Sequence, residues 1–380
     1  MRARVIAYYL PQYHPVPEND KFWGKGFTEW TNVTKAKPLF KGHYQPQIPA
    51  DLGFYDLRIP DVREEQAKMA KECGIEGFCY WHYWFGNGKK VLDMPFNEVL
   101  KTGRPDFPFC LGWANHSWTT KTWEKGKSFS TEKMIFEQLY LGDEDYEAHF
   151  YDVLPAFKDK RYITVEGKPL FVIFEPNDIP DSKHFIEFWN ELAIKNGLKG
   201  IYFIGRCDAL PTMDRKKYKE IDNLTKPRYE ALLEKGYDGI NSVTLKYAEF
   251  KSSGFIKKGI HSFLRKKFGA IILDKYKYDD IISHFITPED YLERIYPQLI
   301  PRRDRSPRSG RKAVIYYKST PKGFEIAAEN AVQCVEKRDF EHRLIFLNAW
   351  NEWGEGAYME PDLKFGHGYL NTLKSVLNRR

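Results

Sequence analysis

The sequence predicts an α/β fold, specifically a (β/α)8 barrel. Eight short apolar runs recur along the chain, segments of helical periodicity lie between them, and 380 residues fit one large barrel. An open doubly wound sheet is the competing arrangement. Closure is favoured because it leaves no unpaired edge, and an eight-strand barrel fills its own interior with side chains.

The runs expected as strands are 5–9, 77–81, 109–113, 170–174, 202–205, 239–243, 313–317 and 344–350. Most are apolar nearly throughout, as strands buried on both faces should be. Between the first two lies 60–73, where Pro60 suits a first helical turn. Val62, Gln66, Met69, Ala70 and Cys73 form one stripe there before Gly74 ends it. In 182–197 Ser182 is the expected cap, Phe185, Phe188, Trp189, Leu192 and Ala193 share a face, and Asn196-Gly197 stops the helix. Charged and aromatic residues alternate without a clean period over 207–300, which predicts an irregular insertion in one domain spanning 1–380.

At 42% hydrophobic and 29% charged, the composition excludes a mostly disordered or low-complexity chain. The net charge of +7 is local. Residues 251–270 hold Lys251, Lys257, Lys258, Arg265, Lys266 and Lys267 without an acid. Residues 301–312 hold Arg302, Arg303, Arg305, Arg308, Arg311 and Lys312 against Asp304 alone. The remainder is mildly acidic. Segment 251–270 reads as a solvated insertion, with weak contact to an anionic membrane surface as the alternative. No nucleic-acid recognition module accompanies the charge.

The five cysteines are widely spaced, odd in number and without a CxxC or Cys/His cluster, so reduced core residues are expected and no metal site. The apolar run after Met1 stops at Pro11, too short for a signal peptide, and no stretch approaches the length of a membrane span. The expectation is a cytoplasmic chain, peripheral to the inner face of the membrane if the basic segment docks there, with no cofactor.

In barrels of this class chemistry gathers where the strands end. The candidates there are Tyr9, Gln12, Glu29, Trp30, His43 and Tyr44 after the first strand, and Trp81, His82, Tyr83 and Trp84 at the second. Trp113, Asn115 and His116 follow the third, and Glu175 the fourth. Trp350, Asn351, Glu352, Trp353, Glu355 and Glu360 follow the last. Glu352 and Glu355 are the sharpest signal. Three apart in a helix-like turn, their side chains come within roughly 5–6 Å, near the separation at which carboxyl pairs cleave glycosidic bonds. Mutual repulsion between tryptophan walls should raise the pKa of one of them, giving an acid beside a base. Aromatic rings make up 16% of the chain, and their gathering at three strand ends suits a sugar-stacking cleft.

Six stretches carry a resemblance: 8–30, 38–58, 74–92, 108–118, 159–174 and 346–362, the last reading FLNAWNEWGEGAYMEPD. Together they resemble the WbsX-like proteins, a group related to glycoside hydrolase family 99, the endo-α-mannosidase family. The resemblance implies a metal-free (β/α)8 barrel acting on a surface polysaccharide or its precursor, with an oligosaccharide or polysaccharide as substrate. It maps the family's Glu-x-x-Glu acids onto Glu352 as base and Glu355 as acid/base. In that scheme a 1,2-anhydro sugar intermediate forms and configuration is retained. Two stretches depart from the family pattern: His116-Ser117 stands where Glu-Asn is usual, and Arg303-Asp304-Arg305-Ser306-Pro307-Arg308 where Trp-Asp-Asn-Thr-Pro-Arg is usual.

Two further functions compete. A glycosyltransferase of surface-polysaccharide biosynthesis is one, although the only Asp-x-Asp, Asp143-Glu144-Asp145, sits in a helix-leading acidic segment and no Gly-rich phosphate cradle is present. A non-catalytic glycan-binding protein is the other, and the paired glutamates argue against it.

Overall fold

A computed structural model describes residues 1–119, 134–210, 223–253 and 272–379. Eight parallel strands form the barrel: β1 (Arg4–Tyr9), β2 (Ile75–His82), β3 (Phe109–Trp113), β4 (Lys168–Ile173), β5 (Tyr202–Asp208), β6 (Gly239–Val243), β7 (Ile295–Leu299) and β8 (Leu344–Leu347). Each pairs with the next in order. The ring closes where β8 pairs with β1, Arg4 opposite Leu344 through Ala7 opposite Leu347.

Seven of the expected runs form barrel strands, and the remaining position is a correction. The run 313–317 does become a strand, Val314–Tyr317, but in a separate three-stranded sheet with Asp274–Lys277 and Arg303–Asp304. The seventh barrel strand is Ile295–Leu299, whose sequence IYPQL contains Pro297 and Gln298. A proline lacks the ladder N–H and weakens the sequence signal of a central strand. The stretch 207–300 therefore supplies two barrel strands, β6 and β7, and the helix Thr225–Glu234 besides irregular chain.

Helices follow most strands: α1 (Pro60–Glu72), α2 (Met94–Thr102), α3 (Asp143–Phe157), α4 (Ser182–Lys195), α5 (Thr225–Glu234), α6 (Pro321–Val335) and α7 (Gly368–Asn378). Helix α1 starts with Pro60 in its first turn and buries Gln66, Met69 and Ala70 as expected. Helix α4 buries Phe185, Trp189, Leu192 and Ala193, but its cap is Asp181, whose side chain accepts from the His184 N–H. Ser182, the expected cap, is already the first helical residue. Asp143, Glu144 and Asp145 open α3, where carboxylates complement the positive end of the helix. Asp145 is committed to the Trp84 indole and the Asn87 N–H.

All five cysteines are buried and unpaired. Among the described residues no helix is long and apolar enough to cross a membrane. Residues 254–270 of the basic segment lie outside the described residues.

Candidate active site

The segment after β8 is held in place before it presents any chemistry. Asn351 accepts from the Leu10 N–H at 2.8 Å and donates to the Leu10 carbonyl at 3.0 Å, so one amide clamps the end of β1 to the acidic motif. The Tyr13 hydroxyl donates to the Asn351 carbonyl and accepts from the Trp353 N–H. Asn351–Glu352 then pairs antiparallel with Ala357–Tyr358 around a single 3-10 turn, Trp353–Glu355. Gly356 makes that return with φ +57°, a conformation that disfavours a side chain.

Beneath the turn, Trp353 stacks on Tyr358 with ring centroids 3.6 Å apart. Its indole N–H donates to Glu360 at 2.6 Å. Glu360 also accepts from Tyr55 and Gln66, and Gln66 in turn accepts from Tyr9. Burial pushes the Glu360 carboxyl up to about 7 against those three hydrogen bonds. Glu360, Tyr9, Trp30 and Trp353 thus form a floor under the motif, outside the lining of its cavity.

Glu352 and Glu355 meet across one cation. Arg308 Nη1 lies 3.1 Å from Glu352 Oε1 and 2.8 Å from Glu355 Oε1. Sharing that nitrogen keeps the two nearer oxygens within about 6 Å, the regime of retaining glycosidases and short of the gap inverting enzymes need for a water. The other edge of the guanidinium grips Glu29 at 2.9 and 3.1 Å. Glu29 is fully buried, and its carboxylate lies so close to Gly354 that a Cβ there would overlap it.

The two acids of the pair experience different fields. Burial pushes the Glu352 carboxyl up, the charge on Glu355 adds to this, and Arg308 and Arg303 oppose it, leaving it at about 7. Burial acts on Glu355 in the same direction, yet Arg305 at 3.0 Å, Arg303 at 3.3 Å and Arg308 together hold it well below the usual carboxylate range. Near neutrality Glu352 exchanges a proton while Glu355 stays a carboxylate.

Both acids line a cavity of about 220 Å³ at the mouth of the barrel. Of the residues expected at the site, Gln12, Trp81, Tyr83 and His116 line it with them; Leu10, Ala114, Trp118, Phe174, Arg305 and Arg308 complete its wall. His116 is held neutral, down to about 4, by burial and by Arg206.

Others are placed elsewhere. His82 contacts His149 at 2.9 Å behind the barrel wall, and Trp84 and Trp113 pack there, the Trp113 indole donating to the Trp84 carbonyl. Asn115 bridges to the backbone of Glu175. Trp350 is fully buried. His43 accepts from the Leu39 N–H through Nδ1, so its Nε2 donates to Asp304 at 2.7 Å; with Tyr44 it lines a second cleft. The three arginines escaped the sequence reading, in which 301–312 was only a basic patch. The departure from the family pattern marked Arg303 and Arg305, whereas Arg308 stands where the pattern already has an arginine.

A family model described as "Glycosyltransferase WbsX" matches residues 5–373. The chain belongs to the WbsX family. It is similar to the uncharacterized protein WxcX of Xanthomonas campestris pv. campestris, 33% identical in strain ATCC 33913 and 32% in strain B100, over 99% of this chain. The chain spans about half the length of those curated relatives. Among solved structures, a glycoside hydrolase-like protein aligns over 100% of this chain and 94% of its own at TM-score 0.58 and 14% identity. The GH99 endo-alpha-mannosidase from Bacteroides thetaiotaomicron, in complex with BIS-TRIS-propane, aligns over 99% and 96% at TM-score 0.57 and 14% identity. This WbsX-family chain therefore shares the barrel of those enzymes.

Proposed function

We propose that the chain is a retaining glycosidase acting on a surface polysaccharide or its precursor, with Glu352 and Glu355 as its catalytic pair. The observation that carries this reading is the shared Arg308 nitrogen. It holds two carboxyls a few ångströms apart at a barrel-mouth cavity, in a field that protonates one and ionises the other.

In this reading Glu352 gives its proton to the departing glycosidic oxygen and later takes one from the incoming water. Glu355 attacks the anomeric carbon from the opposite side as the glycosidic bond breaks, forming a glycosyl ester that the incoming water opens with Glu355 leaving as the carboxylate. Its Oε1 is paired with Arg305 and Arg308 at 3.0 and 2.8 Å and its Oε2 with Arg303 at 3.3 Å, so Oε2 is the less tightly held oxygen on the substrate side. Trp81, Tyr83, Trp118 and Phe174 supply rings on which a sugar can stack. This allocation differs from the one the family resemblance implies, because three arginines disfavour a proton on Glu355. The resemblance supports the second route, in which the sugar's 2-hydroxyl forms a 1,2-anhydro intermediate. A 2-O-methyl substrate separates them: cleavage supports direct participation of Glu355, and refusal supports the anhydro route.

A transferase is the alternative, favoured by the family's description and by arginines able to hold phosphate. The experiment is digestion of bacterial surface glycans, with product configuration followed by NMR, using wild type, Glu352→Gln and Glu355→Gln. Retained configuration, with loss in both variants, is expected. Undiminished hydrolysis in both removes the pair from the mechanism, and turnover only with a sugar nucleotide and acceptor selects the transferase.

A further inference from the structure

Three polar atoms of cavity-lining residues are buried without a hydrogen-bond partner among the described residues: the donors Gln12 Nε2 and Arg305 Nε, and His116 Nδ1, which either donates or accepts according to tautomer. A buried donor without an acceptor keeps the full cost of its lost hydration, so such groups are expected to find an acceptor in the occupied site. The carboxyls are already engaged elsewhere: Glu29 and Glu352 pair with Arg308, and Glu355 faces three guanidiniums, with the Arg305 Nη2 but not its Nε among its partners.

A fourth arginine stands behind the aromatic wall, outside the lining of the cavity. Arg206, on β5, stacks on the Phe174 ring at 4.4 Å, and Phe174 lines the cavity. Among the described residues it has no hydrogen bond or ion pair, whereas Lys246 nearby is paired with Asp208 at 2.6 Å. The acid that opposes Arg206 electrostatically is Glu175, itself shifted by burial toward its neutral form. Positive charge thus brackets the aromatic wall, with Arg305 on the side of the glutamate pair and Arg206 behind Phe174. A neutral sugar gives a second positive flank nothing to neutralise. An oxyanion would satisfy it, accepting charge-assisted hydrogen bonds from Arg305 and Gln12 within the field of Arg206.

We propose that the cavity selects a sugar bearing an oxyanion, a uronate carboxylate or a phosphate, through hydrogen bonds from Arg305 and Gln12 in the field of Arg206. This rests on the reading of the barrel mouth as the sugar site and adds the chemical class of its ligand. Binding, rather than turnover, keeps the two separable.

The experiment is calorimetric titration of the full chain, as wild type and as Glu352→Gln, with glucose, galactose and mannose, their uronic acids and their 1-phosphates. At least one acidic sugar is expected to bind about tenfold or more tightly than its neutral parent, the scale of one charge-assisted hydrogen bond. That preference should shrink with added salt. Arg206→Gln should cut it about fivefold or more, and Arg206→Lys, which keeps the charge, should preserve most of it. A better uronate identifies an acidic glycan residue as the source, and a better phosphate identifies a glycosyl phosphate. Equal affinity for neutral and acidic sugars, binding by none of the acidic sugars, or a preference unchanged in a folded Arg206→Gln overturns the proposal. Selectivity that persists while the glutamate variants keep full hydrolysis overturns the catalytic reading alone.

Discussion

Glu29 and Arg308, 279 residues apart in the sequence, form a buried two-pronged ion pair at 2.9 and 3.1 Å. The pair ties the loop after β1 to the chain after β7, and its spare nitrogen lies between the two glutamates of the last loop. Three distant stretches thus converge on one guanidinium. The pair fixes the Arg308 plane, and the plane sets the field at both acids.

Removing one member leaves the other charged and buried. Glu29→Gln or Arg308→Gln is expected to cost about 3–5 kcal/mol of unfolding free energy, the scale for breaking a buried pair. Urea unfolding checks this, and a loss below about 1 kcal/mol would show that the pair carries little of the local stability.

Gly354→Ala tests the same contact without changing a charge. Its Cβ would overlap the Glu29 carboxylate, so either the turn or the ion pair must move. The expected result is a lower Tm, together with a loss of activity larger than the loss of stability explains. Circular dichroism melting and hydrolysis, measured side by side, decide it.

The buried glutamates predict a pH dependence of stability. Glu360 is held at about 7 in the fold, above the value near 4.3 expected of an unfolded glutamate, so the folded state binds its proton more tightly. Its contribution is complete below about pH 4 and is lost as pH rises through 7, by at most about 1.4 kcal/mol per unit. Glu352 acts with the same sign. Denaturant unfolding between pH 5 and 8 should therefore show a steeper decline for wild type than for Glu360→Gln. Parallel profiles would place the Glu360 titration outside this window.

The aromatic wall predicts a ligand effect. Trp81 lines the cavity and stacks on Tyr8 at 4.6 Å, so its ring is held in orientation before a sugar arrives. Trp81→Ala is expected to weaken saccharide binding about tenfold, and tryptophan fluorescence titration reads it. Unchanged affinity would move the stacking surface elsewhere.

The sequence carried the barrel because buried parallel strands announce themselves as apolar runs, and seven of eight did. The eighth was misread for a local reason. Pro297 and Gln298 disguise Ile295–Leu299, while the more apolar Val314–Tyr317 joined a side sheet. The meeting of Glu352 and Glu355 was legible because the pair spans only four consecutive positions. Arg308 was not, because its role exists only once positions 29, 308 and 352 share a corner. Local pattern cannot encode a contact made by the path of the chain. Many aromatic candidates, Trp113 and Trp350 among them, proved buried, since strand-end rings pack inward as readily as they line a cleft.

The most direct test of the central claim compares Glu352→Gln and Glu355→Gln on a glycan and on the matching aryl glycoside, whose leaving group departs without a proton. If Glu352 is the proton donor, its variant loses about 10²–10⁴-fold on the glycan and far less on the aryl glycoside, while Glu355→Gln loses heavily on both. The reverse split, or no split at all, would contradict the account.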